Sequence, residues 1–359
     1  MENNSNFRRL INLQEKISAE EVDAILVTKI ANVTYFSGFR GDSSALFIGK
    51  NFRKLITDGR YVEQAAAQAK NFTLVEQTEG LYKKIAEEIK ISGYKKIGVE
   101  GLVMTVAQHS YLKKELADVE FKSVELDTLR QVKDAAEIEN IRTACKIADD
   151  AFKKILSVIK PGVREVEVAA QLEYFMRRLG SESAAFTTIV ASGWRSSLPH
   201  GTATDKKISV GELVTMDFGA IYNGYCSDIT RTVCVGKASD DQKKIYNLVL
   251  DAQLYGLEII TAGKSGKEID SAVRDRLTAA GYGKFFVHGL GHGVGLEIHE
   301  EPRLSKLSKC EKLLPNMIVT DEPGLYIKNF GGVRIEDTVL VTNGKAQPLT
   351  HAPKTLIEL

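Results

Sequence analysis

What this sequence lacks narrows its function before any motif is read. Only four cysteines occur in 359 residues, Cys145, Cys226, Cys234 and Cys310, and no two of them form a CxxC pair. A thiolate zinc site or a redox motif is therefore not expected, and reduced thiols are. Charge of one sign is lacking too. With 48 Lys+Arg against 47 Asp+Glu, nothing steers the chain onto nucleic acid or an anionic membrane. No apolar run approaches the length that spans a bilayer, and the opening Met1-Glu-Asn-Asn-Ser-Asn has no signal-peptide core. The expected address is cytoplasmic.

What is present suits two domains: the length exceeds a comfortable single core, and 43% of the residues are apolar. The first part alternates short apolar runs (Ala24-Ile-Leu-Val-Thr, Ser44-Ala-Leu-Phe-Ile-Gly, Lys54-Leu-Ile-Thr-Asp-Gly, Lys96-Ile-Gly-Val-Glu) with helical patterns. Such alternation predicts an α/β layer around a central sheet. Its polar residues show no convergent chemistry. Asp58-Gly-Arg60-Tyr61 reads as a turn before a helix, and His109, the one histidine of this part, as a surface or packing residue. A long helix opens after Asp134, an N-cap with Glu137 three residues on. The polar segment 126–133 just before it marks the boundary, giving domains 1–130 and 131–359.

The second domain repeats itself. A shift of 101 residues aligns Asp150 with Asp251, Ala151 with Ala252, Leu156 with Leu257, Ile159 with Ile260, Gly162 with Gly263, Glu167 with Glu268 and Gly180 with Gly281. Each copy reads helix, Gly turn, helix, Gly C-cap. Each is followed by an acid three residues after a Val, in Val214-Thr-Met-Asp217 and Val319-Thr-Asp-Glu322. A duplicated α+β half with acids at matching places predicts one site between the two halves.

The spacing within each half adds a second acid. Asn223-Gly224 lies between β-type runs, the strongest short hairpin signal, and as a two-residue loop it sets Asp217 opposite Thr230 with Asp228 diagonal on the same face. Two anions aimed at one point repel unless a cation or a shared proton sits there. Glu322 and Glu336 are an even number apart, and a hairpin turning near Gly331-Gly332 puts both on one face. Four acids and a histidine make a dinuclear metal site plausible, and oxygen-rich ligation with one imidazole suits Mn²⁺, with Co²⁺, Fe²⁺ or Zn²⁺ as competitors.

The histidine comes from His288-Gly-Leu-Gly-His292-Gly-Val-Gly-Leu-Glu-Ile-His299. Its glycines alternate, at 289, 291, 293 and 295, so neither GxGxxG nor a P-loop fits, and HExxH is absent. Alternating glycine in a strand strips one face of side chains and permits close backbone approach. The other face then presents His288, Leu290, His292 and Val294.

Taken together, these residues resemble the aminopeptidase P and prolidase group of metallopeptidases, which share a pita-bread fold with methionine aminopeptidase and creatinase. The resemblance implies a creatinase-like α/β N-terminal domain, with a central sheet and flanking helices. An α+β pita-bread catalytic domain with internal pseudo-two-fold duplication follows it. By position it implies metal ligation by Asp217, Asp228, His292, Glu322 and Glu336, with Asp228 and Glu336 bridging two divalent ions, Mn²⁺ foremost. Glu322 is then the proton shuttle, His299 and His288 hydrogen-bond the substrate carbonyl, His200 of Leu-Pro-His-Gly positions substrate, and Arg334 helps orient the site or hold the substrate carboxylate. Phe186 and Tyr326 are candidates to line a proline pocket. The implied activity is hydrolysis of the Xaa-Pro bond at the N-terminus of peptides, as an aminopeptidase, by a homodimer. The alternative is an Xaa-Pro dipeptidase (prolidase) acting on dipeptides with proline second. A creatinase-like amidinohydrolase works without metal, which the intact ligand set opposes. A non-catalytic pita-bread binding module is the distant alternative, expected to show degraded ligands. Asp321, beside Glu322, is the local oddity: strand parity points it away from the metal side.

Overall fold

The computed structural model describes the backbone of residues 2–359 and the side chains from Phe7 onward. The chain divides between Arg130 and Gln131 into two compact units.

In the first unit, helix α1 (Glu2–Ala19) precedes strand β1 (Ala24–Val27), helix α2 (Ile30–Ser37), the strands β2 (Ser44–Gly49) and β3 (Arg53–Asp58), and helix α3 (Val62–Gln68). Then come β4 (Thr73–Gln77), α4 (Leu81–Ser92), β5 (Lys96–Val99), α5 (Val106–Glu115) and β6 (Glu120–Ser123). The strands form one mixed sheet in the order β4-β3-β2-β1-β5-β6. β1 and β2 are buried along their whole length, as expected of strands covered on both faces. The Asp58 turn is held by Arg60, whose Nε and NH2 fork onto the Asp58 carboxylate at 2.9 and 2.8 Å. His109 is exposed and lies against the Phe121 ring.

The second unit opens with α6 (Ala135–Ile155), where Asp134 and Glu137 form a capping box, followed by α7 (Glu165–Arg178). Its counterparts are α8 (Asp240–Ile259) and α9 (Gly266–Ala279). The 101-residue shift carries both ends of α7 onto both ends of α9. The glycines that punctuate the repeat take matching left-handed conformations: φ is 90° at Gly162 and 91° at Gly263, 107° at Gly180 and 85° at Gly281. Glycine enters that region without the steric cost a Cβ imposes.

Behind the first helix pair lie β7 (Ile189–Ser192), β8 (Leu213–Phe218) and β11 (Ile229–Cys234), in the order β11-β8-β7. A small ribbon of β9 (Ile221–Tyr222) and β10 (Tyr225–Cys226) extends from β8 and β11. The second half has β12 (Gly291–Gly293), β13 (Glu300–Leu304), β14 (Ile318–Asp321), β17 (Asp337–Leu340) and β18 (Gln347–Pro348), in the order β13-β12-β14-β17-β18. Its ribbon is β15 (Gly324–Ile327) with β16 (Gly331–Arg334). The mixed sheets and duplicated helices agree with the expected two-part architecture.

Each half buries its own apolar core, one around Phe152, Leu172, Met216 and Phe218, the other around Tyr246, Val249, Val273 and Val319. Polar ties join them. The fully buried Arg231 of β11 reaches Asp337 Oδ1 at 2.8 Å and the Ala352 carbonyl at 2.7 Å. Downstream, Cys234 N donates to Ile357 O at 2.9 Å and Leu359 N to Cys234 O at 2.8 Å, so residues 357–359 add to the first half's sheet. All four cysteines are free. Among the described residues no helix is long and apolar enough to cross a membrane.

Candidate metal centre

The first pair of acids is placed by the Asn-Gly hairpin as expected. Asn223 and Gly224 have φ of 49° and 81°, the two positive values that this tight turn demands. Thr230 pairs with Asp217, and Asp228 follows in the same register across from Gly219. A Cβ at Gly219 would lie 1.9 Å from Ser227 O, so only glycine allows the strands this approach.

The second pair departs from expectation in detail. The turn falls at residues 328–330, with Asn329 at φ 65°, and not at Gly331-Gly332. Because Asp321 pairs with Asp337 and Gly324 with Arg334, Glu322 and Glu336 stand directly opposite each other. Gly332 has another use. A Cβ there would sit 2.2 Å from Ser196 O.

These strands bring the acids together. Ligand atoms of Asp217, Asp228 and Glu336 all lie within 4.8 Å of one another. His292 Nε2 is 3.5 Å from Asp228 Oδ2 and 3.4 Å from Glu322 Oε1. The imidazole is held by its own backbone: Nδ1 lies 3.0 Å from Gly293 O. A carbonyl only accepts, so Nδ1 carries the proton and Nε2 offers its lone pair to the acids, the tautomer a metal ligand requires. The glycines around it give clearance, since a Cβ at Gly291 would meet Thr320 O at 2.0 Å and one at Gly293 would meet Glu301 O at 2.5 Å.

Burial and mutual repulsion shape the electrostatics. Burial, then the carboxylates of Glu336, Asp217 and Glu322, hold Asp228 well above the usual carboxylate range. Glu336 is raised in the same way by burial, then by Glu322 and Asp217. Burial pushes Glu322 up to about 8 and His292 down to about 3. The donor set fits a divalent cation on this structure's own terms. Four carboxylates converge with one lone-pair-bearing imidazole, and Asp217 Oδ1 is buried with no hydrogen-bond partner among the described residues. Such a group is costly unless a cation completes it.

Arg334 braces the cluster from behind. Its NH2 donates to Asp217 Oδ2 at 2.6 Å and its Nε to Thr230 Oγ1 at 2.9 Å, while Thr230 in turn donates to Glu336 Oε2 at 2.6 Å. Arg334 NH1 donates to the Tyr326 hydroxyl at 2.7 Å. That hydroxyl lies 2.8 Å from His288 Nε2, and His288 Nδ1 lies 2.7 Å from Gly289 O. By the carbonyl argument Nδ1 carries the proton, and Tyr326 donates to Nε2. Both nitrogens of His288 are therefore engaged inside the protein, which leaves neither for a substrate carbonyl. His288 itself lines the cavity, whereas Tyr326 stands behind it. His299, whose ring packs edge-on against His292 at 4.4 Å between centroids, has no hydrogen-bond partner among the described residues.

A cavity of about 730 Å³ opens over the acids, walled by Phe186, Ile189, Pro199, His200, Thr202, Ile298, His299 and Arg303. Arg303 escaped the sequence reading because Glu-Glu-Pro-Arg carries no motif. Alternation along β13 was the available signal: Glu301 and Arg303 are exposed between buried neighbours, on the parity of His299. Asp321 has the opposite fate. It is fully buried against Gly256 of α8, both oxygens without a hydrogen-bond partner among the described residues.

Comparison with known proteins agrees with this geometry. Residues 139–343 match metallopeptidase family M24, and residues 9–132 match the creatinase/prolidase N-terminal domain. The chain is 41% identical over 355 residues to the Xaa-Pro dipeptidase of Pyrococcus furiosus, covering 97% of this chain and 99% of that one. An Xaa-Pro dipeptidase structure from Bacillus anthracis superposes with a TM-score of 0.95 at 45% identity, covering 99% of this chain and all of that one. An X-Pro aminopeptidase structure from Thermotoga maritima gives 0.90 at 39% identity, with 97% and 99% covered. The chain belongs to metallopeptidase family M24.

Proposed function

We propose that this protein is a proline-specific exopeptidase that hydrolyses the Xaa-Pro bond at the N-terminus of its substrate, with two divalent ions, Mn²⁺ foremost, as cofactors. The observation that carries the reading is the convergence of Asp217, Asp228, Glu336, Glu322 and His292 Nε2 beneath a substrate-sized cavity. These five residues would hold the ions. Divalent ions bound there supply Lewis acidity, lowering the pKa of a water and polarising a carbonyl.

The chain's own residues do the rest. Glu322, half-buried in the cavity lining, takes the proton of the attacking water at its carboxylate and passes it to the leaving imino nitrogen. His299 donates to the scissile carbonyl oxygen as negative charge develops. His288 acts indirectly, by fixing Tyr326 and through it Arg334, which aims Asp217. His200 lines the cavity beside them, within the space a peptide would fill, and Phe186 and Ile189 offer apolar surface to a pyrrolidine ring.

The sequence favours an aminopeptidase acting on longer peptides. A dipeptidase reading is supported by Arg303, a cation on the cavity wall able to pair with a substrate carboxylate at short range, and by the names of two of the relatives above. Hydrolysis of an Xaa-Pro dipeptide beside an Xaa-Pro-Xaa tripeptide by the Mn²⁺-loaded protein separates the two. Inactivity on both would overturn the peptidase reading. A cytoplasmic homodimer completes it, and light scattering of the purified protein checks the assembly.

A further inference from the structure

We infer that Glu165, a residue of α7 with no contact to the cavity, is the positioning residue for the loop that presents His200 to substrate. The loop runs from Ser192 at the end of β7 to Thr204 and carries Pro199, His200 and Thr202, all on the cavity wall. A loop this long has many conformations of similar energy unless its ends and middle are pinned. Here a single side chain pins all three.

Glu165 is fully buried. Its Oε1 accepts from Ser192 N at 2.7 Å and Ser192 Oγ at 2.9 Å, at the start of the loop. Its Oε2 accepts from Thr204 N at 3.2 Å and Thr204 Oγ1 at 2.8 Å, at the end. The same oxygen pairs with Arg195 NH1 in the middle, and Arg195 NH2 reaches across to Thr202 O at 2.8 Å. One carboxylate therefore gathers five donors from three points of the loop. Bonds to an ionised acceptor are the strong kind, and leaving these donors buried and unmatched is costly.

The far side of the loop is tied to the metal centre. Gly332 N donates to Ser196 Oγ at 2.8 Å, and Arg334 NH1 reaches Pro199 O at 3.3 Å. His200 thus hangs between an anchor on a helix and a guanidinium that also holds Asp217.

The second half repeats the device with different residues, which argues that it serves the site and is not an accident of packing. Asp270 of α9 accepts from Leu290 N at 2.9 Å and is forked by Arg274, which donates to Phe286 O at 2.7 Å and His288 O at 2.6 Å. In both halves a buried acid on the second helix, paired with an arginine, fixes a histidine-bearing segment.

Trp194, the only tryptophan of the chain, lies on the Glu165-held loop and is 57% exposed, so it reports loop order directly. The test compares Mn²⁺-loaded wild type with Glu165→Gln and Arg195→Gln, reading steady-state kinetics on an Xaa-Pro dipeptide, bound Mn²⁺, and acrylamide quenching of Trp194. The kinetic arm rests on the proposed peptidase activity; the quenching arm does not. Expected are a KM raised by about tenfold with kcat changed by less than about threefold, wild-type metal content, and stronger quenching. Thr204→Ser, which keeps the hydroxyl, should behave as wild type. Unchanged KM and quenching in both variants would overturn the inference, as would parallel loss of metal and kcat, the pattern of a purely structural role. If Glu165→Gln does not fold, Arg195→Gln, nearer the surface, decides alone. A wild type inactive on Xaa-Pro substrates would defeat the functional reading and leave quenching to judge the loop.

Discussion

The two halves of the catalytic unit share a frame and differ where the chemistry requires it. In the first half Ile189 of β7 pairs with Asp217; in the second, Glu322 N donates to Leu290 O, so Leu290 stands where Ile189 does. Two residues further along, the first half has Ala191 and the second His292. Each half thus contributes two acids, but only one contributes nitrogen. Duplication explains the paired carboxylates, and divergence at one strand position explains why the proposed ligand set is oxygen-rich with a single imidazole. Clearance diverged with it: one residue before these positions stands Val190 in the first half and Gly291 in the second, where a Cβ would strike Thr320 O.

The sharpest way to break the comparison is to erase its asymmetry. His292→Ala should lower kcat/KM by about a thousandfold or more and reduce bound metal measured by mass spectrometry. Adding Ala191→His should not restore either, because Ala191 is buried and the new ring costs about 1–3 kcal/mol of overpacking. Recovery of metal in the double variant would show the halves to be interchangeable.

Removing the metal tests what the converged acids cost. Glu322 rises from 4.5 to about 8 in the metal-free fold. A carboxyl raised on folding binds its proton more tightly in the native state, so its contribution to stability is full below the unfolded value and is lost as pH climbs through the folded one. Asp228 and Glu336 shift in the same direction. The lowered His292 opposes this trend only up to its unfolded value of 6.5, so melting of metal-free protein should fall in temperature between about pH 6.5 and about pH 8, and Mn²⁺ should restore more at the upper end. A flat or rising profile contradicts the arrangement.

Gly291→Ala should destabilise by about 3 kcal/mol in urea unfolding, whereas Val190→Ala, its counterpart, should follow the milder cost of a trimmed core side chain, about 1–3 kcal/mol. The smallest effect is expected at the turns. Asn223→Ala and Asn329→Ala, both at positive φ, should each cost about 1 kcal/mol with little change in kcat.

Much of this was legible in the sequence because it depended on local rules. The shift of 101 residues related the helix that is α7 to the one that is α9, and Asn223-Gly224 fixed the first hairpin. The second hairpin was misplaced because glycine has two uses. Gly332 reads like a turn, yet its missing Cβ makes room for Ser196, a neighbour 136 residues away. Spacing could not reveal what occupies His288, since its partner Tyr326 arrives from another ribbon. Arg303 was hidden for a related reason, as β13 can be phased only once His299 is placed. Asp321 was correctly turned from the acids by parity, but nothing local foretold its burial against Gly256.

Residues 357–359 lie along β11 through Cys234, and this has a consequence for how the molecule forms. During synthesis the first half's sheet lacks its neighbouring segment until more than a hundred further residues have been made. Long-range pairing of this kind slows folding and leaves an edge exposed meanwhile. The acids of the first half likewise wait for His292, Glu322 and Glu336, so the proposed metal site is completed only late in the chain.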